Sequence, residues 1–299
     1  MSPLRTRIAP TPSGFLHVGN GTAFALTYAM ARAFDGKIVL RIDDLDAERM
    51  RPEYVEDIFQ TLDWLGIEWD EGAISPDDFY QNFSQHKRLD GYFDALKLLQ
   101  NQSDLYACTC TRKEILELSP TGLYPNMCRF KNLDFEKKET AWRLLMPENT
   151  EITFKNEQNQ GQIIHLGETM GDFVVRQKNG LPAYQIASLV DDLEMGINFI
   201  VRGNDLLSST AAQIYLSQKI NRTEFGGTLF LHHVLLQGTD GQKLSKSQGA
   251  SSLKEWRKTG RKPTELFKKA AFWLDLPTND VENMTDLISA IKINLAPPQ

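Results

Sequence analysis

TRIAPTPSGFLHVGNGTAFALTYAMARAFDGKIVLRI, residues 6–42, is the stretch from which the fold can be read. Thr6 to Pro10 reads as a short strand, closed by the punctuation Pro10-Thr11-Pro12-Ser13-Gly14. A small apolar helix follows, roughly Gly19 to Phe34, stopped by Asp35-Gly36. Lys37 to Ile42 is then β-branched and alternating, as in a strand. Further on, Pro52 stands near the start of a helix whose Val55, Ile58, Leu62 and Leu65 share one face. Strand, helix, strand, helix at this spacing predicts an α/β fold with a doubly wound parallel sheet.

Between about Tyr106 and Leu181 the rhythm breaks. This stretch holds all three cysteines, Gly and Pro turns, and short strand-like runs at Ala141–Leu145 and Gln162–Leu166. It reads as a subdomain inserted between two halves of the sheet. Alternation resumes with a strand at Asn198–Arg202, a helix capped by Ser208 or Ser209, and a strand from Leu229 to Gln237 ending at Thr239-Asp240-Gly241. Past Ser252 the pattern is helical. The expected division is 1–105 and 182–249 for the two halves of the catalytic sheet, 106–181 for the insertion and 250–299 for a helical C-terminal region.

The chain has 299 residues, 33 Lys or Arg against 39 Asp or Glu, 41% hydrophobic and 24% charged residues, so it is neither disordered nor fibrous. No apolar run approaches the ~18 residues of a membrane span, and the N-terminus has no apolar signal core. Three cysteines in such a length do not make a disulfide scaffold. The expectation is a reduced, cytoplasmic protein, monomeric and without membrane attachment. Charge is unevenly spread: Ser251–Trp273 carries seven basic residues against two acidic in a chain whose net charge is −6. That segment suits either a phosphate backbone or an ordinary solvated helix face.

Two segments suggest chemistry. Pro12-Ser13-Gly14-Phe15-Leu16-His17-Val18-Gly19-Asn20 sits where the first strand meets the first helix. A helix start offers unpaired N–H groups and partial positive charge to a phosphate, His17 can donate to an oxyanion, and Gly19 permits close approach. Lys243-Leu244-Ser245-Lys246-Ser247, before Gly249, can neutralise a departing pyrophosphate. Alone, the first also fits a capped surface turn and the second an exposed basic loop. Together they gain meaning, because in a doubly wound sheet both loops can meet at the carboxyl ends of the strands. Cys108-Thr109-Cys110 and Cys128 suit either buried thiols or part of a Zn²⁺ site, for which tetrahedral coordination wants a fourth ligand.

HVGN and KLSKS resemble the two signatures of the class I aminoacyl-tRNA synthetases. Arg7-Ile8-Ala9-Pro10-Thr11-Pro12-Ser13-Gly14, Leu40-Arg41-Ile42-Asp43-Asp44-Leu45-Asp46 and Val201-Arg202-Gly203-Asn204-Asp205-Leu206 narrow the resemblance to the glutamyl/glutaminyl branch. It runs from about Arg5 to Gly249 and implies a catalytic domain of Rossmann type. It further implies glutamate binding by Arg7, Ala9, Thr11, Asp43, Tyr184 and Arg202. ATP binding falls to His17, Gly19, Asn20 and Lys246, with Mg²⁺, and catalysis to His17, Lys243 and Lys246. Asp43 stands where glutamyl enzymes commonly carry Glu and glutaminyl enzymes show Asp, while an arginine at 202 favours glutamate. Asn20 replaces the second His of the first signature.

The runs Cys108-Thr109-Cys110-Thr111-Arg112 and Tyr124-Pro125-Asn126-Met127-Cys128-Arg129 look like the zinc motif of the glutamyl-queuosine group of this branch. That likeness implies a structural zinc held by Cys108, Cys110, Tyr124 and Cys128. About fifty residues follow Ser247, against a large anticodon-binding portion in full glutamyl-tRNA synthetases. The resemblance therefore implies ATP-dependent activation of glutamate and transfer to the queuosine base at the wobble position of tRNA(Asp). An anticodon stem-loop would then sit where an acceptor end sits elsewhere. The alternatives are transfer to a tRNA 3′ end or another acceptor, and a non-catalytic RNA-binding relative.

Overall fold

The computed structural model describes residues 3–46, 48–156, 160–235 and 252–298. Strands β1 (Arg5–Ile8), β2 (Lys37–Leu40) and β3 (Glu71–Gly72) form a parallel sheet in that order, with Arg7 level with Val39. Helix α1 (Val18–Ala33) connects the first two, and α2 (Pro52–Trp64) and the single turn α3 (Pro76–Asp78) flank the third. Helix α4 (Leu89–Asn101) then leads into the segment expected as an insertion.

That segment holds two antiparallel sheets. One joins β4 (Leu105–Cys108), β5 (Ala141–Leu144) and β8 (Val174–Arg176), and the other is the hairpin of β6 (Glu151–Lys155) and β7 (Gly161–His165). Helices α5 (Arg112–Leu118) and α6 (Leu166–Thr169) link them. The chain returns through α7 (Tyr184–Glu194), β9 (Phe199–Gly203), α8 (Leu207–Lys219) and β10 (Leu229–His233). It closes with α9 (Leu253–Lys258), α10 (Thr264–Trp273) and α11 (Met284–Asn294).

The pair β9–β10 is parallel, with Arg202 level with His232. It adjoins β1 at its start, where the Asn198 N–H donates to the Arg5 carbonyl at 3.0 Å and the Arg5 N–H to Asn198 Oδ1 at 2.7 Å. Strand β1 therefore lies between β2 and the later β9, and the direction of winding reverses beside it. This is the α/β architecture expected from residues 6–42. A crevice opens at such a reversal, beyond the carboxyl ends of the strands.

Helix α1 is built from small residues because other helices must lie close to it. A Cβ on Gly21 would stand 2.7 Å from Leu253 Cδ1 and 2.9 Å from Leu266 Cδ1, so glycine there lets α9 and α10 close over the N-terminal half of α1. In α2, Val55, Ile58 and Leu62 are buried as their spacing requires. Trp142, Leu144, Ile152, Phe154 and Val175 of that segment share one apolar cluster with Ile186, Ile200 and Phe230, and Phe154 meets Phe230 edge-on at 5.6 Å.

Two local expectations need correction. Helix α8 starts at Leu207, and neither Ser208 nor Ser209 caps it; Ser209 is buried and accepts the Gln185 side-chain amide at 3.0 Å. Strand β10 ends at His233, not at Gln237. Gln237 and the turn expected at Thr239-Asp240-Gly241 lie outside the described residues.

Candidate active site

A cleft of about 370 Å³ opens beyond the ends of β1, β2 and β9. Arg7, Ala9, Thr11, Asp43, Tyr184 and Arg202 all line it, so the six residues expected to hold glutamate meet in one place. Alternation explains the first four: residues two apart on an extended chain face the same way, which aims Arg7, Ala9 and Thr11 together, and Arg41 with Asp43.

Arg41 lines the cleft as well and was not among the expected site residues. It is buried, grips Asp43 with two bonds (Nε–H to Oδ1 at 2.7 Å, Nη2–H to Oδ2 at 3.1 Å) and reaches Asp192 Oδ1 at 2.6 Å. Arg7 donates from Nε to the same Asp192 oxygen at 3.2 Å and from Nη1 to the Val201 carbonyl at 3.3 Å. Asp192 is wholly buried, and its Oδ2 has no hydrogen-bond partner among the described residues. Its neighbour Asp191 takes two bonds from Arg88 at 2.8 and 3.0 Å and one from the Tyr92 hydroxyl at 2.6 Å. Burial, followed by the charge of Asp191, pushes the Tyr92 phenol far above its ordinary range.

Arg202 differs from these. It is 5% exposed and makes no ion pair among the described residues. Its Nη1–H donates to Gln213 Oε1 at 2.8 Å, its Nη2–H to Thr210 Oγ1 at 2.6 Å, and its Nε has no partner among the described residues. The guanidinium lies 5.2 Å from the centre of the Phe230 ring. Burial draws its pKa below the ordinary value, with Tyr184 at the mouth of the cleft acting the other way. Arg7, Arg41 and Arg88 are each paired with Asp43, Asp191 or Asp192, whereas Arg202 is buried with no ion pair among the described residues. A buried, unpaired charge is costly until an anion joins it.

His17 caps α1. The Gly19 N–H donates to His17 Nδ1 at 3.1 Å, and the His17 N–H donates to Asn20 Oδ1 at 3.1 Å. With Nδ1 accepting, the neutral ring carries its proton on Nε2, and Nε2–H is its donor. A Cβ on Gly19 would come within 3.0 Å of His17 Cε1, so the glycine makes room for this ring. The loop before His17 is pinned on both sides. The Leu16 N–H donates to Asp57 Oδ2 at 3.0 Å, and the Leu16 carbonyl accepts the Leu253 N–H at 2.8 Å. The other oxygen of Asp57 takes the Arg257 guanidinium at 2.7 Å. Lys243 and Lys246 lie outside the described residues.

In the basic segment, Arg257 pairs with Asp57, Lys258 with Glu255, Arg261 and Lys269 with Glu265, and Lys268 with Glu282. Lys254 lies 3.8 Å over the Phe15 ring. Much of the positive charge that the sequence concentrates here is therefore met by protein acids.

The sulfurs of Cys108, Cys110 and Cys128 lie within 4.8 Å of one another. The Tyr124 hydroxyl joins them, 3.3 Å from Cys108 Sγ and 3.5 Å from Cys110 Sγ, and accepts the Cys128 N–H at 2.9 Å. Burial pushes the Cys110 thiol up to about 11. At Cys128 burial acts the same way but is outweighed by hydrogen bonds, first from Tyr124, which bring it down to about 7. Three sulfurs and a phenol oxygen converging on one point form a donor set that can bind zinc. Arg143 stacks 3.5 Å from the centre of the Tyr124 ring, and Arg129, next to Cys128, grips buried Asp172 at 2.6 and 2.9 Å.

Sequence reasoning missed Arg41, Asp192, Thr210, Gln213 and Asp57. Only Arg41 had a local signal, its spacing of two from Asp43. Asp57 comes from α2 and the others from α7 and α8, far along the chain; for all of them a polar residue at a buried position is the one clue.

The chain belongs to the family described as tRNA synthetases class I (E and Q), catalytic domain, whose profile matches residues 3–294, and it is therefore a ligase. It is 40% identical over 249 residues to the glutamyl-Q tRNA(Asp) synthetase of Pseudomonas fluorescens, covering 83% of this chain and 78% of that protein. It is 35% identical over 280 residues to the glutamate–tRNA ligase of Aquifex aeolicus, covering 89% of this chain and 56% of that one. Its fold matches the crystal structure of the glutamate-tRNA synthetase from Elizabethkingia anophelis with a TM-score of 0.78 at 24% identity, covering 97% of this chain and 66% of that one. Among the described residues, no helix is long and apolar enough to cross a membrane.

Proposed function

We propose that this protein activates glutamate with ATP and passes the glutamyl group to the queuosine base at the wobble position of tRNA(Asp). The observation that carries the reading is Arg202, a buried guanidinium in the cleft with neutral partners only. Glutamate brings two carboxylates and one ammonium, a net charge of −1 that cancels the charge Arg202 carries without an ion pair among the described residues. Glutamine, being neutral overall, leaves it.

In this reading Arg202 takes the side-chain carboxylate and Asp43, steadied by Arg41, takes the α-ammonium. Arg7 and Tyr184 complete the grip, and Ala9 and Thr11 shape the wall. The α-carboxylate attacks the α-phosphorus of ATP, which enters as its Mg²⁺ complex, and pyrophosphate departs. His17 Nε2–H, the start of α1 at Gly19 and Asn20, and Lys243 and Lys246 stabilise the phosphates. A hydroxyl of queuosine then attacks the adenylate carbonyl and releases AMP, with no protein nucleophile. Positioning and preorganised charge supply the rate. The anchoring of Leu253 to Leu16 supports a shared site, because it fixes the chain a few residues after Lys246 beside His17.

Cys108, Cys110, Tyr124 and Cys128 would hold a structural Zn²⁺, whose role is to fold the knuckle between β4 and β5. Labelled pyrophosphate should exchange into ATP when glutamate is present. Glutamate should then label queuosine-containing tRNA(Asp) but not the same tRNA lacking the base; equal labelling of both removes the assignment of acceptor.

A further inference from the structure

We propose that Gln213 is the residue that makes this pocket choose an acid over its amide, by holding Arg202 without neutralising it. The proposal rests on the glutamate reading and goes one shell deeper, since Gln213 does not line the cleft.

Gln213 lies on α8 with no exposed surface, and its Oε1 is 2.8 Å from Arg202 Nη1. Its Nε2 is buried with no hydrogen-bond partner among the described residues. The side chain is therefore placed for a single bond, to Arg202. A glutamate has nearly the same size and shape, and its carboxylate would meet the guanidinium at the same place and form an ion pair. The amide accepts the N–H and leaves the charge standing.

The remaining partners of Arg202 follow the same pattern. Thr210 Oγ1 accepts from Arg202 and lies 2.7 Å from His232 Nε2 and 3.2 Å from the Leu206 carbonyl. One arrangement serves all three: the hydroxyl donates to Leu206 and accepts from both Arg202 and His232 Nε2–H. Buried against Phe154 and Phe230, the His232 ring is neutral. Arg202 is thus fixed in direction by an amide, a hydroxyl and, through it, an imidazole. Arg7 and Arg41 are held by carboxylates instead. Of these three cleft arginines, Arg202 alone has no carboxylate bonded to it among the described residues, and that place is left for the ligand.

The test compares wild type, Gln213→Glu and Gln213→Met by calorimetric titration with glutamate and glutamine and by pyrophosphate exchange with each. Gln213→Glu should raise the glutamate KM on the order of 100-fold, with kcat at saturation changed far less, and the glutamate-to-glutamine ratio should collapse. Gln213→Met removes the bond but adds no charge, so it should weaken glutamate binding and keep the preference for the acid. If Gln213→Glu does not fold, Thr210→Asp offers the same charge to the other Nη and should shift the ratio likewise. A charged variant with the wild-type ratio overturns the proposal, as does a Met variant whose preference is lost as fully as that of the Glu variant. Wild type that binds no glutamate overturns the functional reading and this proposal with it. Wild type that binds glutamate beside an unaltered Gln213→Glu ratio overturns this proposal alone.

Discussion

The Leu253 N–H donates to the Leu16 carbonyl across 2.8 Å. Leu16 precedes His17, and Leu253 opens the first helix after the segment that contains Lys243 and Lys246. Asp57 binds the Leu16 N–H and Arg257 of the same helix, so the loop before His17 and helix α9 hang on one buried carboxylate.

Asp57→Ala should therefore harm both stability and phosphate chemistry. Removing buried Asp57 takes the acceptor from the Leu16 N–H and the ion-pair partner from partly buried Arg257, which keeps Thr61 and Gln60; the cost is at most about 3 kcal/mol, read as a lower denaturant midpoint. The exchange rate at saturating glutamate should fall more than glutamate affinity, because the amino-acid cleft does not contact Asp57. An affinity loss as large as the rate loss would contradict the anchoring role.

Lys246→Ala should slow pyrophosphate exchange by about 10²–10³-fold, the usual cost of one lost donor to developing charge. Its melting temperature should match wild type. An exchange rate near normal would remove Lys246 from the phosphate site.

Arg202→Ala should abolish measurable glutamate binding, a loss of about 2–5 kcal/mol for one partner of a buried charge pair. The empty variant should melt at or above the wild-type temperature, since an uncompensated buried charge has gone. Calorimetry reads the first and differential scanning the second; intact glutamate binding would overturn the pocket assignment.

Cys128→Ser should release zinc, seen as metal content falling from near one per chain, and should lower the melting temperature. Wild-type protein purified without chelator and found metal-free would contradict the site. Chelation of wild type should reproduce the variant's melting curve.

Acid should weaken the fold through His232. Burial, then the charges of Arg202 and His233, pull its pKa down to about 3, against about 6.5 in the unfolded chain. Between those values the unfolded chain binds a proton that the native state refuses. The contribution of this ring is therefore complete above pH 6.5 and declines by at most about 1.4 kcal/mol per pH unit below it. Denaturant midpoints at pH 7, 5.5 and 4.5 should show a steeper decline for wild type than for His232→Gln; parallel declines would refute it.

The sheet was legible because its strands and helices carry their own periods: TRIAP, the small-residue helix and KIVLRI needed no distant partner. The cleft was legible through the resemblance, which named Arg7, Ala9, Thr11, Asp43, Tyr184 and Arg202; alternation along the extended chain then accounts for Arg7, Ala9 and Thr11 facing one way. The frame behind it was not. Arg41 meets Asp192 across 151 positions, and nothing near either residue encodes that meeting. Nor did the insertion announce that its apolar residues would be buried against Phe230 and Ile200. His17 shows an intermediate case: its place at the head of α1 was readable, but the choice of Nε2 as donor depends on the Gly19 N–H reaching Nδ1.

Because Arg202 is flanked by neutral groups, the idle enzyme is electrically unfinished. On the proposed reading, a small anion of the surrounding medium that fits the crevice should compete there with glutamate. Apparent affinity will accordingly depend on which salt is present, sulfate against chloride, as well as on how much.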